Sequence, residues 1–171
     1  GTQYYPVLFQ NLDEASLTNT ATGTLSGGLY GTFLTGVASG EIINAGTITG
    51  DTGLALSGTT SATILNSGTI EGTAGTAIAK GASASYDLTL DTGSNLIGKV
   101  QADSGDTLTL KGMGSEDEDL KGFGTLTMAG SAWTLSGAVQ ADTLDLTSGV
   151  LTLTGSDIDF GSIRIANTAK L

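Results

Sequence analysis

An all-β solenoid, in which short strands stack coil upon coil, is the fold this sequence predicts, and three observations predict it. Residues 42–55 are nearly repeated by residues 64–77, with an offset of 22 at Ile42/Ile64, Asn44/Asn66, Gly46/Gly68, Ile48/Ile70, Gly50/Gly72 and Gly53/Gly75. A period of this size, made of short β-branched runs broken by glycine, marks a chain whose every turn stacks on the last. The composition agrees, because 27 glycines and a single proline accompany aliphatic residues every few positions, where a disordered chain would lack them. Finally, no stretch keeps apolar residues at i, i+3, i+4 and i+7, and Gly, Thr, Ser and Asp are poor helix formers, so helix is disfavoured throughout.

Length and charge bound the rest. The 171 residues fit one domain or one segment of a longer array, and 39% hydrophobic content supplies a core if it is spread along one axis. Six Lys+Arg against 17 Asp+Glu leave a net charge of −11, with no basic patch, so phosphate backbones and anionic lipid heads are repelled and no nucleic-acid partner is expected. His and Cys are both absent, which removes imidazole bases, thiol nucleophiles and the commonest transition-metal ligands. The expectation is therefore a protein that is not an enzyme, with no catalytic, cofactor-binding or metal residues and no cofactor. No apolar run approaches the roughly 20 residues of a membrane-spanning helix, and no charged segment precedes a hydrophobic one at the start, so a soluble segment of something larger is expected.

Taken in order, the chain opens with Tyr4, Tyr5, Pro6, Val7, Leu8 and Phe9, an aromatic concentration that reads as a cap over the first coil, residues 1–16. Regular coils follow over residues 17–79. The first is an irregular copy: residues 23–27 match residues 46–50 at an offset of 23, whereas Asn19 matches Asn44 only if two residues are inserted. In the regular part, strands of two to five residues alternate with glycine turns. Asn44 and Asn66 hold one place in successive coils, where their amides would stack about 4.8 Å apart and hydrogen-bond along the axis as a structural ladder.

Residues 80–171 form less regular coils. Leu88-Thr89-Leu90, Leu108-Thr109-Leu110, Leu126-Thr127-Met128, Leu144-Asp145-Leu146 and Leu151-Thr152-Leu153 alternate apolar and polar positions, as half-buried strands do. Their starts lie 20, 18, 18 and 7 residues apart, so later coils vary in length or hold two such strands. Residues 112–119 form an acidic run that lacks the alternating ligand spacing of calcium loops and reads as a solvated turn. Trp133, the only tryptophan, reads as a plug between coils. Ile158, Phe160, Ile163 and Ile165 alternate almost to the end, and so apolar an ending implies that the array continues beyond residue 171.

Other readings of such a solenoid are weaker. A polysaccharide lyase or hydrolase needs convergent carboxylates, and the one Asp pair near coil spacing is Asp87 and Asp106, while Lys80, Lys99, Lys111, Lys121, Arg164 and Lys170 are scattered singly. The Thr-X-Thr pairs at Thr47/Thr49, Thr107/Thr109, Thr125/Thr127 and Thr152/Thr154 suggest an ice-binding face, but their separations of 60, 18 and 27 residues are too uneven for a regular lattice.

Residues 43–50 and 65–72, with residues 105–112 and 133–137, resemble in their order the passenger domains of Gram-negative bacterial autotransporters, over about residues 17–165. The resemblance implies a right-handed, pertactin-like parallel β-helix, here of roughly eight coils forming a single segment. It implies a secreted or surface-displayed adhesin or host-cell-binding virulence factor acting through its lateral faces. Its partner would be a host cell-surface or matrix protein or a second copy of itself, and it would meet the membrane only through a C-terminal barrel outside these residues. The alternative is a structural stalk presenting a functional domain that lies elsewhere. The missing cysteines agree with a chain that crosses two membranes unfolded.

Overall fold

Alternation of inward aliphatic and outward polar side chains winds this chain into a parallel β-helix. The computed structural model describes residues 4–58 and 61–171; residues 1–3, the start of the expected cap, lie outside it. Its strands are β1 (Leu8–Asn19), β2 (Thr24–Ser26), β3 (Tyr30–Asn44), β4 (Thr47–Ser57), β5 (Ser61–Asn66), β6 (Thr69–Lys80), β7 (Tyr86–Leu90), β8 (Asn95–Val100), β9 (Thr107–Leu110), β10 (Met113–Glu116), β11 (Leu120–Met128), β12 (Ala132–Leu135), β13 (Val139–Leu146), β14 (Val150–Leu153) and β15 (Ile158–Ile165). Every pairing between them is parallel, and no helix occurs among the described residues.

Three lateral faces result. The first stacks β1, β3, β5, β7, β9, β11, β13 and β15 without interruption. The second runs through β2, β4, β6 and β8, then resumes with β10, β12 and β14. The third uses the other halves of the long strands, which bend around a corner and keep bonding. That is why β3 reaches 15 residues where the glycine spacing predicts strands of two to five. Residues 8–12 of β1 also lie on the third face, against residues 33–37, and Tyr5 stacks on Tyr30 at 5.7 Å beside Phe33.

Register, not loop length, is what the coils share. Leu17, Ile42, Ile64, Leu88, Leu108, Leu126, Leu144 and Ile163 form one inward column of the first face, so successive coils take 25, 22, 24, 20, 18, 18 and 19 residues. Seven complete turns follow, close to the expected eight, and at about 4.8 Å each the rod is about 34 Å long. From Ile42 to Leu144 every member of the column is fully buried, and each aliphatic side chain so placed stabilises the fold by about 1.5–3 kcal/mol.

A second inward column changes chemistry halfway. It reads Asn19, Asn44, Asn66, then Leu90, Leu110, Met128, Leu146 and Ile165. The expected ladder is present and includes Asn19. Asn19 Nδ2 donates to Asn44 Oδ1 and Asn44 Nδ2 to Asn66 Oδ1, both at 2.8 Å, and Asn66 Nδ2 ends the series on Ser94 Oγ at 2.9 Å. The two-residue insertion near Asn19 is taken up in the turns and leaves the ladder intact. The glycine two residues after Asn44 and after Asn66 is a matter of space: a Cβ on Gly68 would run into the carbonyl of Gly46 one coil below.

Candidate interaction surface and buried polar clusters

The first face is the continuous surface of the rod, and its outward side chains form two columns. One holds Ser16, Glu41, Thr63, Asp87, Thr107, Thr125, Thr143 and Ser162. The other holds Thr18, Ile43, Leu65, Thr89, Thr109, Thr127, Asp145 and Arg164. Between Asp87 and Asp145 the columns present six threonines, Thr89, Thr107, Thr109, Thr125, Thr127 and Thr143, all half-buried and none charged. Neighbouring rows are about 4.8 Å apart, and the two columns about 6.7 Å apart. Within the rod, Thr107 Oγ1 donates to Asp87 Oδ1 at 2.6 Å and Thr143 pairs with Ser162 at 3.1 Å, whereas the hydroxyls of Thr89, Thr109, Thr125 and Thr127 make no side-chain hydrogen bond among the described residues.

This arrangement revises the expectation drawn from uneven Thr-X-Thr separations. Thr107/Thr109 and Thr125/Thr127 do stack, in register, on adjacent coils, because the intervening turns absorb the irregular sequence spacing. Thr47/Thr49 and Thr152 belong to the second face, on β4 and β14, so the four pairs do not make one lattice.

Two buried polar clusters lie elsewhere. At the end of β6, Lys80 Nζ contacts Asp106 Oδ2 at 2.6 Å and Asp103 Oδ2 at 2.7 Å. Asp106 is fully buried and also accepts the backbone N–H groups of Tyr86 at 2.8 Å and Asp103 at 2.7 Å. Burial opposes the charge on Lys80, but the hydrogen bonds to Asp103 and Asp106 outweigh it and hold the ammonium's pKa above its ordinary value. Burial, reinforced by the Asp106 and Asp103 charges, pushes the Tyr86 phenol up; its hydroxyl donates to the Gln101 carbonyl at 2.7 Å. Each member of this cluster is satisfied inside the rod, which makes it a clamp between coils. Asp87 and Asp106, the one candidate carboxylate pair, are thereby separated in role, since Asp87 faces outward and Asp106 is spent on Lys80.

The second cluster corrects the reading of residues 112–119 as a solvated turn. Met113–Glu116 is β10, and Glu116 points inward at the height of Leu135 and Leu153. Only 3% of it is exposed. Burial pushes its carboxyl up to about 7, against the opposing hydrogen bond from the Leu96 N–H. Beside it, Trp133 is buried as expected for a plug: its ring lies over Gly114 and its Nε1 donates to the Lys111 carbonyl at 2.8 Å.

Neither internal cluster was legible beforehand. Lys80 and Asp106 are 26 residues apart, longer than any coil, because they connect different faces. Glu116 sits in a locally hydrophilic run whose burial shows only once residues 113–116, 132–135 and 150–153 are aligned as one stack. No group of three or more acidic side chains among the described residues is placed to hold a metal ion. The chain matches no protein-family model, no curated protein and no solved structure.

Proposed function

We propose that this chain is a surface-displayed or secreted passenger segment of the autotransporter type, acting as a non-catalytic adhesin or host-cell-binding factor through the first lateral face. The observation that carries the reading is the unbroken stack of eight strands on that face, with outward hydroxyls left without partners in its uncharged centre. In a chain of net charge −11, an uncharged, hydroxyl-bearing strip suits an uncharged polar counterpart, which many weak contacts at coil spacing would hold. The absence of cysteine supports export of an unfolded chain.

A test places lysine in the strip. The wild-type chain and a Thr109→Lys/Thr127→Lys variant, checked for unchanged circular dichroism, are applied at micromolar concentration to cultured epithelial cells at physiological salt. Saturable binding by the wild type, lost in the variant, is the expected result. Binding that survives the substitutions removes this face from the function. No binding and no self-association by either protein favours the second reading, a stalk presenting a domain outside these residues, which the featureless rod also suits.

A further inference from the structure

Two of the three faces are interrupted at the same level of the rod. On the second face β8 and β10 are neighbours without ladder pairing, and on the third face β8 and the start of β11 are likewise unpaired, whereas β7, β9 and β11 stay paired on the first. An open groove of about 730 Å³, lined by Gly75, Lys99, Val100, Gln101, Glu118 and Lys121 among others, marks the gap. Where a coil would normally supply main-chain carbonyls, the acidic run supplies side chains. Leu96 N–H donates to Glu116 Oε2 at 3.2 Å and Gly98 N–H to Glu118 Oε1 at 2.7 Å.

The two carboxylates differ in situation. Glu118 borders the groove, but Glu116 is enclosed, and its Oε1 is buried without any hydrogen-bond partner. An ionised carboxylate in that position leaves an unsatisfied oxygen in the core and faces the charges of its neighbours Asp117 and Glu118. The elements packed on it offer little relief. Among the residues of β8 the only charge is Lys99, which lines the groove, and neither β12 nor β14 carries a charged residue. Adding a proton to Glu116 removes the buried charge and its repulsion while Oε2 still accepts from Leu96.

We propose that this seam is where the solenoid opens, hinging on the continuous first face, and that protonation of Glu116 holds it closed. The rod is then two blocks, residues 8–100 and 107–165, joined by a proton-sensitive joint. This property is independent of what the lateral faces bind. The direction follows from proton linkage. The closed state keeps a proton on Glu116 up to about pH 7, whereas an opened, hydrated Glu116 releases it near 4.5. Closure therefore weakens as pH rises between those values and levels off above them.

The experiment is amide hydrogen exchange of the whole chain from about pH 5 to about pH 8, expressed as protection factors so that the intrinsic pH dependence is removed. Leu96, Gly98 and the amides of β10 are expected to exchange more readily than those of β9 and β13. Their protection should fall by between about tenfold and a hundredfold over that range, while β9 and β13 change little. In Glu116→Gln the fall should disappear; in Glu118→Ala, which removes the acceptor, Gly98 alone should lose protection and the pH dependence should remain. Should Glu116→Gln fail to fold, carboxyl-carbon titration of Glu116 in the wild type gives the answer. A midpoint at the ordinary Glu value, seam amides as protected as those of β9, or a pH dependence unchanged in Glu116→Gln would each overturn the proposal.

Discussion

Replacing Asn44 by leucine should cost more stability than the same change at Asn66, although both side chains are fully buried in one column. Asn44 is bonded on both sides. Its Nδ2 donates to Asn66 Oδ1 at 2.8 Å, Thr69 O at 3.1 Å and Gly46 O at 3.3 Å, and its Oδ1 accepts from Asn19 at 2.8 Å. Asn44→Leu strips Asn66 Oδ1 of its amide donor and takes one bond each from two carbonyls, while Asn19 Nδ2 keeps Thr47 O and Gly23 O. One orphaned buried acceptor costs about 1–3 kcal/mol, the weakened carbonyls add about 1 kcal/mol, and leucine returns part of this by burial, so the net loss is about 2–4 kcal/mol. At Asn66 the aliphatic column beginning with Leu90 is simply extended by one coil. Asn44 Nδ2 keeps two carbonyl acceptors, the Gly68 carbonyl loses the Asn66 amide at 2.9 Å but keeps the Asn95 N–H, and the released Ser94 hydroxyl, 8% exposed, lies near enough to solvent to find water. Asn66→Leu should therefore cost only about 1–2 kcal/mol. Urea titration and thermal melting of both variants against the wild type measure the difference. If Asn66→Leu is as damaging as Asn44→Leu, or if Asn44→Leu lies within about 0.5 kcal/mol of the wild type, the ladder does not stabilise the rod in this way.

Two further substitutions test the other buried contacts. Asp106→Ala leaves the Lys80 ammonium with one exposed partner and orphans the Tyr86 and Asp103 N–H groups, so a loss of about 3–5 kcal/mol is expected in chemical denaturation; Asp103→Ala, at the exposed end of the clamp, should produce only a small fraction of that loss. Gly114→Ala would place a Cβ 2.6 Å from Trp133 Cη2, in a ring with nowhere to go, and should cost about 1–3 kcal/mol. Much of that cost should vanish when Trp133→Leu is combined with it, because Leu151 shows that leucine fits the same column one coil on.

How far the structure was legible depended on whether position or neighbourhood decided a residue's fate. The inward columns were readable because strand alternation is strict: Leu88, Leu108, Leu126 and Leu144 announce themselves in Leu-X-Leu and Leu-X-Met triplets, and a one-residue slip would have exposed the whole set. The 7-residue spacing from Leu144 to Leu151 is explained by a change of face, from β13 to β14. Loop lengths carried less information than their irregularity suggested. Asn19 stays in the ladder despite its 25-residue offset, and two Thr rows align across turns of different sequence, because backbone hydrogen bonding sets the register and surface turns only have to close. Local composition misled where the stack overrode it. Around Glu116 the residues are acidic and glycine-flanked, as in a solvated turn, yet the coil above supplies Leu135 at its height and leaves the carboxylate no way out. The same position that hides Glu116 also relieves β10 of its ladder to β8. A carboxyl side chain thus stands in for a missing strand contact, and the most acidic stretch of the chain becomes the place where the rod is weakest and most responsive to protons. A hydrophobic residue at 116 would have packed against Leu135 like the rest of the column but would have left the Leu96 N–H without an acceptor. Glu116 serves the open edge, and the cost of doing so is a seam that weakens when its carboxyl ionises.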